Sequence, residues 1–306
     1  AEPAGRFHYR GKSSAPMAAG TLTTKTPAKL NLRLKVTGRR PDGYHDLVSL
    51  MVPVDVCDTL AFRPIPENVE LVWEGLPVPV DEHNLVKRAA AVFLERVGGR
   101  GGISVRVTKN IPVAAGMGGG SSDAAATLLS LNRLWDEPLS PGALKDLALQ
   151  LGADVPFFLE PRPSIARGVG EILEPVGQWP ELWYVIVTPP FQVSTAWVYG
   201  NLRLGLTSNE YDRIKAWLGK ESLVISQFLE NDLEAVTSAK FPILSRIKKS
   251  LLNAGAEGAL MTGSGPSVFG VFRSQKRAAE AGAEILRLDL GRVIVAGSWK
   301  DQSIEH

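Results

Sequence analysis

A glycine-rich segment that opens a helix constrains this chain more than any other part of its sequence. Residues 109–129, KNIPVAAGMGGGSSDAAATLL, place four glycines and two serines directly before an alanine-rich helical pattern. Glycine permits positive φ and the close approach of a ligand, and the first turn of a helix presents unpaired N–H groups and the positive end of its dipole. The segment therefore predicts a loop that binds an oligophosphate.

The alternative to a phosphate loop is a flexible glycine turn that Ser121 caps. The segment is not a Walker A loop, because no lysine follows its last glycine, and it lacks the spacing of the Rossmann fingerprint. If it binds phosphate, we expect positive φ at Gly116, Gly118, Gly119 and Gly120, followed by a helix over residues 121–135.

Length and composition limit the class of protein. A chain of 306 residues with 44% hydrophobic content can bury a substantial core, and its length favours two domains. A formal net charge of +2 argues against a nucleic-acid partner. Because no apolar run reaches the roughly 18 residues of a membrane span, and the N-terminal residues lack the core of a signal peptide, we expect a cytoplasmic protein without a membrane partner.

The few soft metal ligands narrow the choice of cofactor. Cys57 is the single cysteine, and the four histidines are scattered, so neither a disulfide framework nor a zinc site is expected. Any metal should therefore be a hard cation. Residues 1–20 are interpreted as a disordered leader, with Met17 as a possible native start, and are excluded from the fold.

Hydrophobic patterning divides the rest into two domains, residues 21–177 and 178–300. The boundary is placed in the proline- and glycine-rich segment EPVGQWPE. The first domain should open with strands from Thr21 to Phe62 around the turn RRPDGYH, and Asn84 and Ser140 should each cap a helix. Its further expected elements are a strand at 103–107 and the helix after the glycine loop.

The second domain shows the pattern of a split β-α-β unit like ferredoxin. The strands and helices expected there are a strand at 183–187, helices through Leu252, strands at 256–262 and 267–272, a helix at 275–288 and a strand at 291–297.

The string PAKLNLRLKVTGRRPDGYHDL carries polar groups suited to a ligand. Lys29 and Asn31 lie two apart in an expected strand, so both side chains leave one face and could position a hydroxyl or phosphate oxygen. Tyr44 and His45 in the turn offer a ring and an imidazole for binding a heterocycle. The alternatives are a solvated strand lysine and an ordinary turn pair.

Two further strings carry candidate chemistry. In LGADVPFFLEPRPSIARGVGE, Asp154 stands between a glycine and an apolar segment, and near Lys29 it would stay ionised and could accept a proton from an alcohol. A helix-terminal or turn Asp before Pro156 is the alternative. The string TGSGPSVFGVF, residues 262–272, is a second glycine turn that could pack against the phosphate loop or form a plain hairpin.

Together these strings resemble the GHMP kinase superfamily, whose members share a lysine-bearing N-terminal strand, a PxxxGxGxS-type phosphate loop and a C-terminal glycine-rich motif. In detail, PAKLNLRLKVTGRRPDGYHDL, GMGGGSSDAA and LGADVPFFL are similar to the branch that phosphorylates 4-diphosphocytidyl-2-C-methyl-D-erythritol, over residues 22–298. The resemblance implies an α+β fold of two domains, the first like ribosomal protein S5 domain 2 and the second ferredoxin-like, with the active site in the cleft between them.

The resemblance also implies roles for single residues. Asp154 would be the general base on the substrate hydroxyl, and Lys29 would orient that hydroxyl and keep the base charged. Asn31 would bind near the same hydroxyl. Tyr44 would sandwich the cytosine with an aromatic residue across the cleft, and His45 would hydrogen-bond the edge of the base.

For the second ring of the sandwich the resemblance points to Tyr199, with Thr195 nearby, although family members often carry Phe there. ATP and Mg²⁺ are the implied cofactors, with Ser121 as the metal ligand, and the second acidic Mg²⁺ ligand of other superfamily members has no clear counterpart. The residues that would hold the ATP phosphates are Lys109, Pro112, Val113, Ala114, Ala115, Gly116, Met117, Gly118, Gly119, Gly120, Ser121 and Ser122.

The implied reaction transfers the γ-phosphate of ATP to the 2-hydroxyl of 4-diphosphocytidyl-2-C-methyl-D-erythritol, giving the 2-phosphate and ADP. This is a step of the methylerythritol phosphate route to isoprenoid precursors. The partners would be these two small molecules, and the protein would be a monomer or a weak homodimer. The alternatives are a GHMP kinase for another small molecule, such as a sugar or mevalonate, and a non-catalytic ligand sensor of the same fold.

Overall fold

The computed structural model describes residues 20–77, 83–99, 101–203, 209–220 and 224–300. All but the last residue of the expected leader lies outside these ranges. The strands are β1 (Leu22–Arg39), β2 (His45–Ile65), β3 (Val69–Gly75), β4 (Gly102–Lys109), β5 (Ser164–Gly168), β6 (Ile172–Pro175), β7 (Trp183–Thr188), β8 (Glu230–Asn231), β9 (Gly258–Met261), β10 (Val268–Phe272) and β11 (Arg292–Gly297). The helices are α1 (Leu85–Arg96), α2 (Gly119–Leu134), α3 (Pro141–Leu151), α4 (Thr195–Gly200), α5 (Glu210–Leu218), α6 (Ile225–Phe228), α7 (Asp232–Lys240), α8 (Ile243–Asn253) and α9 (Gln275–Leu286), with a 3₁₀ helix at Val155–Leu159.

The larger sheet has the order β3-β4-β2-β1-β8, and β5 and β6 extend it from β2. The two long strands β1 and β2 pair antiparallel around the expected turn. Helices α1, α2 and α3 pack with the sheet around one hydrophobic core that includes Phe62, Phe93 and Leu128. The expected antiparallel opening and the helices of the first domain are therefore confirmed.

Two helix starts follow from capping chemistry. The Asn84 side chain accepts hydrogen bonds from the first turn of α1, and Ser140 caps α3, which begins with a proline. Both residue types supply the oxygen that the unpaired N–H groups of a helix start require. Helix α2 differs from the prediction, since it begins at Gly119 and its N-cap is Gly118 in the left-handed conformation.

The smaller sheet has the antiparallel order β11-β7-β10-β9. Numbered within the second unit, its strands stand in the order 4-1-3-2, with α9 connecting the third to the fourth. This is the split β-α-β arrangement that the pattern predicted. Helices α8 and α9 cover one face around residues such as Leu251 and Ile285.

The chain passes from the larger to the smaller sheet between Pro175 and Trp183, where the boundary at 177/178 was placed. The two units are nevertheless joined by backbone hydrogen bonds. Strand β8 pairs parallel with β1, and the N–H of Trp299 donates to the carbonyl of Pro53 at 3.1 Å. A cleft between the units is therefore bordered by β1 on one side and by the second unit on the other.

Buried ion pairs also connect β1 with the second unit. Arg33 on β1 donates from Nε to Oε2 of Glu210 at 2.8 Å and from Nη1 to the carbonyl of Phe228 at 2.7 Å. The Arg33 and Glu210 side chains are 9% and 0% exposed. Because a buried charge without its partner is costly, this pair ties the position of α5 to β1.

We expect Arg33→Met to lower the free energy of unfolding by about 3–5 kcal/mol, because it leaves the carboxylate of Glu210 buried without its main partner. The matched control is Arg213→Met, since Arg213 binds the same carboxylate at 3.0 Å from a side chain that is 63% exposed. Exposed pairs contribute about 0–1 kcal/mol. Urea unfolding of both variants measures the difference, and equal losses would contradict the role of Arg33.

Candidate active site

A cleft of about 980 Å³ lies between the two units and is lined by residues from both. It brings together eleven of the residues singled out from the sequence: Lys29, Asn31, Tyr44, His45, Ala114, Gly116, Gly118, Ser121, Asp154, Thr195 and Tyr199. Eight others do not line it: Lys109, Pro112, Val113, Ala115, Met117, Gly119, Gly120 and Ser122.

Lys29 and Asp154 form the charged centre of the cleft. The Lys29 Nζ lies 3.5 Å from Oδ2 of Asp154, and the two side chains are 5% and 37% exposed. Asp154 precedes the 3₁₀ helix without capping it, so its carboxylate is not committed to the helix. An accessible carboxylate beside a buried ammonium can accept a proton from an alcohol bound in the cleft.

Asn31 is held in place by partners that the sequence did not indicate. Its Oδ1 accepts from Lys29 Nζ at 2.6 Å, and its Nδ2 donates to Oγ of Ser49 at 2.8 Å. Its backbone N–H donates to Oγ1 of Thr262, which in turn donates to the carbonyl of Gly116 at 3.2 Å. Thr262 therefore joins β1 to the glycine loop from the second unit. The only signal for Thr262 in the sequence was its position in the TGSGPS turn.

The glycine loop is shaped by close packing. Gly116 and Gly118 have φ of 77° and 71°, as expected. A Cβ at Gly116 would lie 2.1 Å from the carbonyl oxygen of Thr262, and one at Gly118 would lie 2.8 Å from the ring of Phe158. The expectation of positive φ was wrong for Gly119 and Gly120, because both already belong to α2.

The start of α2 faces the cleft through Ser121. The first-turn N–H groups of a 16-residue helix lack partners within the helix and suit an anion. Ser122 is 2% exposed, and its Oγ has no hydrogen-bond partner. Among the residues that the structure describes, no group of three or more His, Cys, Asp or Glu is placed to hold a metal ion.

Lys109 lies behind the loop in a buried cluster and does not reach the cleft. Its Nζ pairs with Oδ2 of Asp123 at 2.7 Å and with Asp58, and its side chain is 3% exposed. Asp58 also accepts from the backbone N–H groups of Asn110 and Ile111. The cluster thus ties an interior position of β2 and the end of β4 to the first turns of α2. It gives Lys109 a structural position in place of the expected phosphate contact.

The cluster contains two carboxylates and one ammonium. Burial opposes the charged form of Lys109, but Asp123 and Asp58 raise its pKa above the ordinary value. Burial, assisted by the Asp58 charge, raises the pKa of Asp123 to about 6, although Thr26 donates a hydrogen bond to it at 2.9 Å. Asp123 therefore takes up a proton as the pH falls through about 6.

Aromatic residues also line the cleft. The rings of His45 and Tyr199 are stacked, with centroids 5.1 Å apart, while Tyr44 is 63% exposed. Burial, with the nearby charge of Arg39, lowers the pKa of His45, so the imidazole is neutral at pH 7. Thr195 lies beside them and shares a hydrogen bond with Ser264 at 2.8 Å. The ring stacked on Tyr199 is therefore His45 and not Tyr44.

Comparison with known proteins fits this geometry. The family model for the GHMP kinases N terminal domain matches residues 84–160, and the model for the GHMP kinases C terminal domain matches residues 211–288. The chain belongs to the GHMP kinase family. Between them, the two matches include the glycine loop, Asp154 and strands β9 and β10 of the smaller sheet.

Relatives along nearly the whole chain are more specific. The 4-diphosphocytidyl-2-C-methyl-D-erythritol kinase of Syntrophotalea carbinolica is 46% identical over 261 residues, covering 85% of this chain and 92% of the relative. The kinase of the same name from Geobacter metallireducens is also 46% identical, covering 87% and 94%. The chain therefore falls within this branch of the family, as the motifs predicted.

Solved structures agree on the fold. A crystal structure of 4-(cytidine 5'-diphospho)-2C-methyl-D-erythritol kinase matches with a TM-score of 0.78 and 35% identity, covering 91% of this chain and 100% of the other. The mevalonate kinase of L. major matches with a TM-score of 0.69 at 14% identity, covering 94% and 99%, and shows the fold alone.

In the described ranges, no helix has the length and apolar character to cross a membrane.

The surplus charge of the buried cluster generates a pH prediction. The folded protein holds the Asp123 proton more tightly than the unfolded chain, where an Asp titrates near 4. Stability from this group is thus complete below that value and is lost as the pH rises through about 6. We expect Asp123→Asn to remove this loss, so that its melting temperature falls less than that of the wild type between about pH 5 and pH 7.5.

The difference should amount to a few degrees, given about 2–4 °C per kcal/mol for proteins of this size. Asp146→Asn on the exposed face of α3 is the control and should follow the wild type. If Asp123→Asn has the same pH dependence as the wild type, Asp123 does not carry the surplus charge.

Proposed function

We propose that this protein transfers the γ-phosphate of ATP to the 2-hydroxyl of 4-diphosphocytidyl-2-C-methyl-D-erythritol, giving the 2-phosphate and ADP. The observation that carries the proposal is the Lys29–Asp154 pair, which shares one cleft with the start of α2 and with the His45–Tyr199 stack. An alcohol acceptor, an oligophosphate and a nucleobase each find suitable chemistry there. The relatives' names identify a substrate with a cytosine, a diphosphate and a free hydroxyl.

Asp154 acts as the general base in this proposal. Its carboxylate removes the proton of the 2-hydroxyl as the oxygen attacks the γ-phosphorus. Lys29 lies close enough to orient that hydroxyl and to favour the charged carboxylate. Asn31 fixes the ammonium by accepting its hydrogen bond, so the reacting groups meet in a preset geometry.

The glycine loop binds the ATP phosphates in this proposal. The start of α2 reaches the cleft at Ser121, so its first-turn N–H groups and the Ser121 hydroxyl can neutralise charge that develops on the transferred group. Mg²⁺ commonly binds through substrate phosphates and few protein oxygens, which fits a site where the described part of the chain offers the Ser121 hydroxyl but no carboxylate cluster. When bound there, with the Ser121 hydroxyl as its protein ligand, the ion would reduce the negative charge of the phosphates.

The cytosine binds at the aromatic end of the cleft. Tyr44 has a largely exposed ring that a base can cover, Tyr199 supplies a second ring, and the neutral imidazole of His45 can hydrogen-bond the edge of the base. Burial, together with the Asp154 charge, raises the pKa of Tyr199 and keeps its phenol neutral. The cytoplasmic location and the monomer or weak homodimer remain predictions from the sequence.

A coupled assay of ADP release tests the proposed function directly. The protein is incubated with Mg²⁺, ATP and 4-diphosphocytidyl-2-C-methyl-D-erythritol, and in parallel with galactose, homoserine or mevalonate. We expect turnover with the cytidine compound alone. Turnover with another acceptor would assign a different GHMP kinase activity, and nucleotide binding without any turnover would assign a ligand sensor.

We expect Asp154→Asn to lower kcat by about 100-fold or more while KM for both substrates changes little, because a general base contributes about 10²–10⁴-fold to the rate. The amide keeps the shape of the side chain but cannot take up the proton. Steady-state kinetics measure this effect. A kcat close to that of the wild type would remove Asp154 from the proposed role.

We expect Tyr44→Ala to weaken binding of the cytidine substrate by about 1–3 kcal/mol, the usual cost of losing a stacking surface for a base. ATP affinity should stay close to the wild-type value, so ATP serves as the internal control. Calorimetry with each ligand measures both affinities. Equal losses for the two ligands would show that the ring supports the fold and does not bind the base.

A further inference from the structure

Not every charged side chain that lines the cleft is paired with one of opposite charge. The charged side chains among its described lining residues belong to Lys29, Arg39, Asp42 and Asp154. Lys29 is paired with Asp154. The charge of Asp42 is balanced by Arg40, a residue outside the cleft lining, since Oδ2 of Asp42 lies 3.2 Å from Nε of Arg40. Within the described ranges, Arg39 is thus the cleft cation that has neither an ion pair nor a hydrogen bond from its side chain.

The sheet places Arg39 beside the aromatic end of the cleft. Arg39 is the last residue of β1 and is the antiparallel partner of His45, the first residue of β2. Side chains at directly opposed positions leave the same face of a sheet, about 5 Å apart at Cβ. His45 in turn stacks on Tyr199. The guanidinium therefore stands next to the proposed cytosine position and can turn into the cleft without breaking another contact.

The substrate of the proposed function needs such a cation. Between its cytosine and its reacting alcohol it carries a diphosphate, and the start of α2 is already assigned to ATP. The other cleft ammonium, Lys29, is held by Asp154 and Asn31. A guanidinium binds phosphate oxygens through paired N–H groups, and with no carboxylate attached it has all of its donors available.

We propose that Arg39 binds the diphosphate of the cytidine substrate and makes the cleft selective for nucleoside diphosphates over nucleosides. This inference rests on the proposed function and assigns a specificity residue to it. Arg40 cannot take this part, because its charge faces Asp42 and Asp46. Arg40 thus neutralises the carboxylates of the turn, and Arg39 faces the ligand.

The first measurement compares the binding of CDP and of cytidine to Arg39→Ala by calorimetry. Charged hydrogen bonds to phosphate justify an expected loss of about 10-fold or more in CDP affinity. Cytidine affinity should change by less than about 2-fold, which also shows that the variant is folded. Arg39→Lys should recover part of the CDP affinity, since a lysine keeps the charge but not the paired donors. Equal losses for CDP and cytidine would overturn the inference.

Arg63→Ala is the matched control. Arg63 is an exposed arginine on β2 outside the cleft lining, so its removal makes the same change in net charge. We expect its CDP affinity to equal that of the wild type. If Arg63→Ala weakens CDP as much as Arg39→Ala does, the effect belongs to the overall charge, and the inference is wrong.

Steady-state kinetics with 4-diphosphocytidyl-2-C-methyl-D-erythritol separate this inference from the proposed function. In Arg39→Ala, we expect KM for this substrate to rise about 10-fold, with kcat and KM for ATP nearly unchanged. An active wild type with an unaltered Arg39→Ala variant would overturn the inference and leave the function standing. If the wild type binds CDP through Arg39 but does not turn the substrate over, the inference stands and the proposed function is wrong. A wild type that does not bind CDP would overturn both.

Discussion

The ammonium of Lys109, buried between Asp58 and Asp123, is the interaction on which the phosphate loop depends. It joins the interior of β2 and the end of β4 to the first turns of α2, and so fixes where the helix starts. A Cβ on Gly119 would lie 3.0 Å from that ammonium, which explains a glycine there by packing alone. The buried charges of Lys109, Asp58 and Asp123 fix the shape of the loop. The loop can therefore present its N–H groups to a ligand without rearranging.

The cleft is a product of both sheets. Thr262, in the glycine turn of the second unit, contacts the backbone of Asn31 and the carbonyl of Gly116, so one hydroxyl holds the strand and the loop together. This contact adds a link from the second unit to the bond inside the first, where the backbone N–H of Lys29 donates to the carbonyl of Met117 at 2.9 Å. The second unit thus contributes to the geometry of the site as well as to its walls.

Local chemistry explains which parts could be predicted from the sequence. Asn84 and Ser140 marked helix starts because a cap needs only its own first turn, and the spacing of Lys29 and Asn31 put both on one face because a strand has a period of two. The burial of Lys109 could not be predicted in this way, since its partner Asp58 lies 51 residues away in the chain. Strand β8 was missed for the same reason: two residues have no periodicity, and β1 alone makes them a strand.

Strand β1 carries polar side chains at Lys29, Asn31, Arg33 and Lys35, all of them buried, while Leu30 and Leu32 between them pack into the apolar core. The first two serve the cleft and the last two hold the second unit. Because the pleat alternates faces on either side of the irregularity between Asn31 and Arg33, one residue inserted or deleted beyond it would turn the later polar groups into the core and the later leucine into the polar layer. The number of residues along β1 is therefore more strictly constrained than most of its individual side chains. The same spacing places the polar groups of the cleft and the groups that hold the second unit.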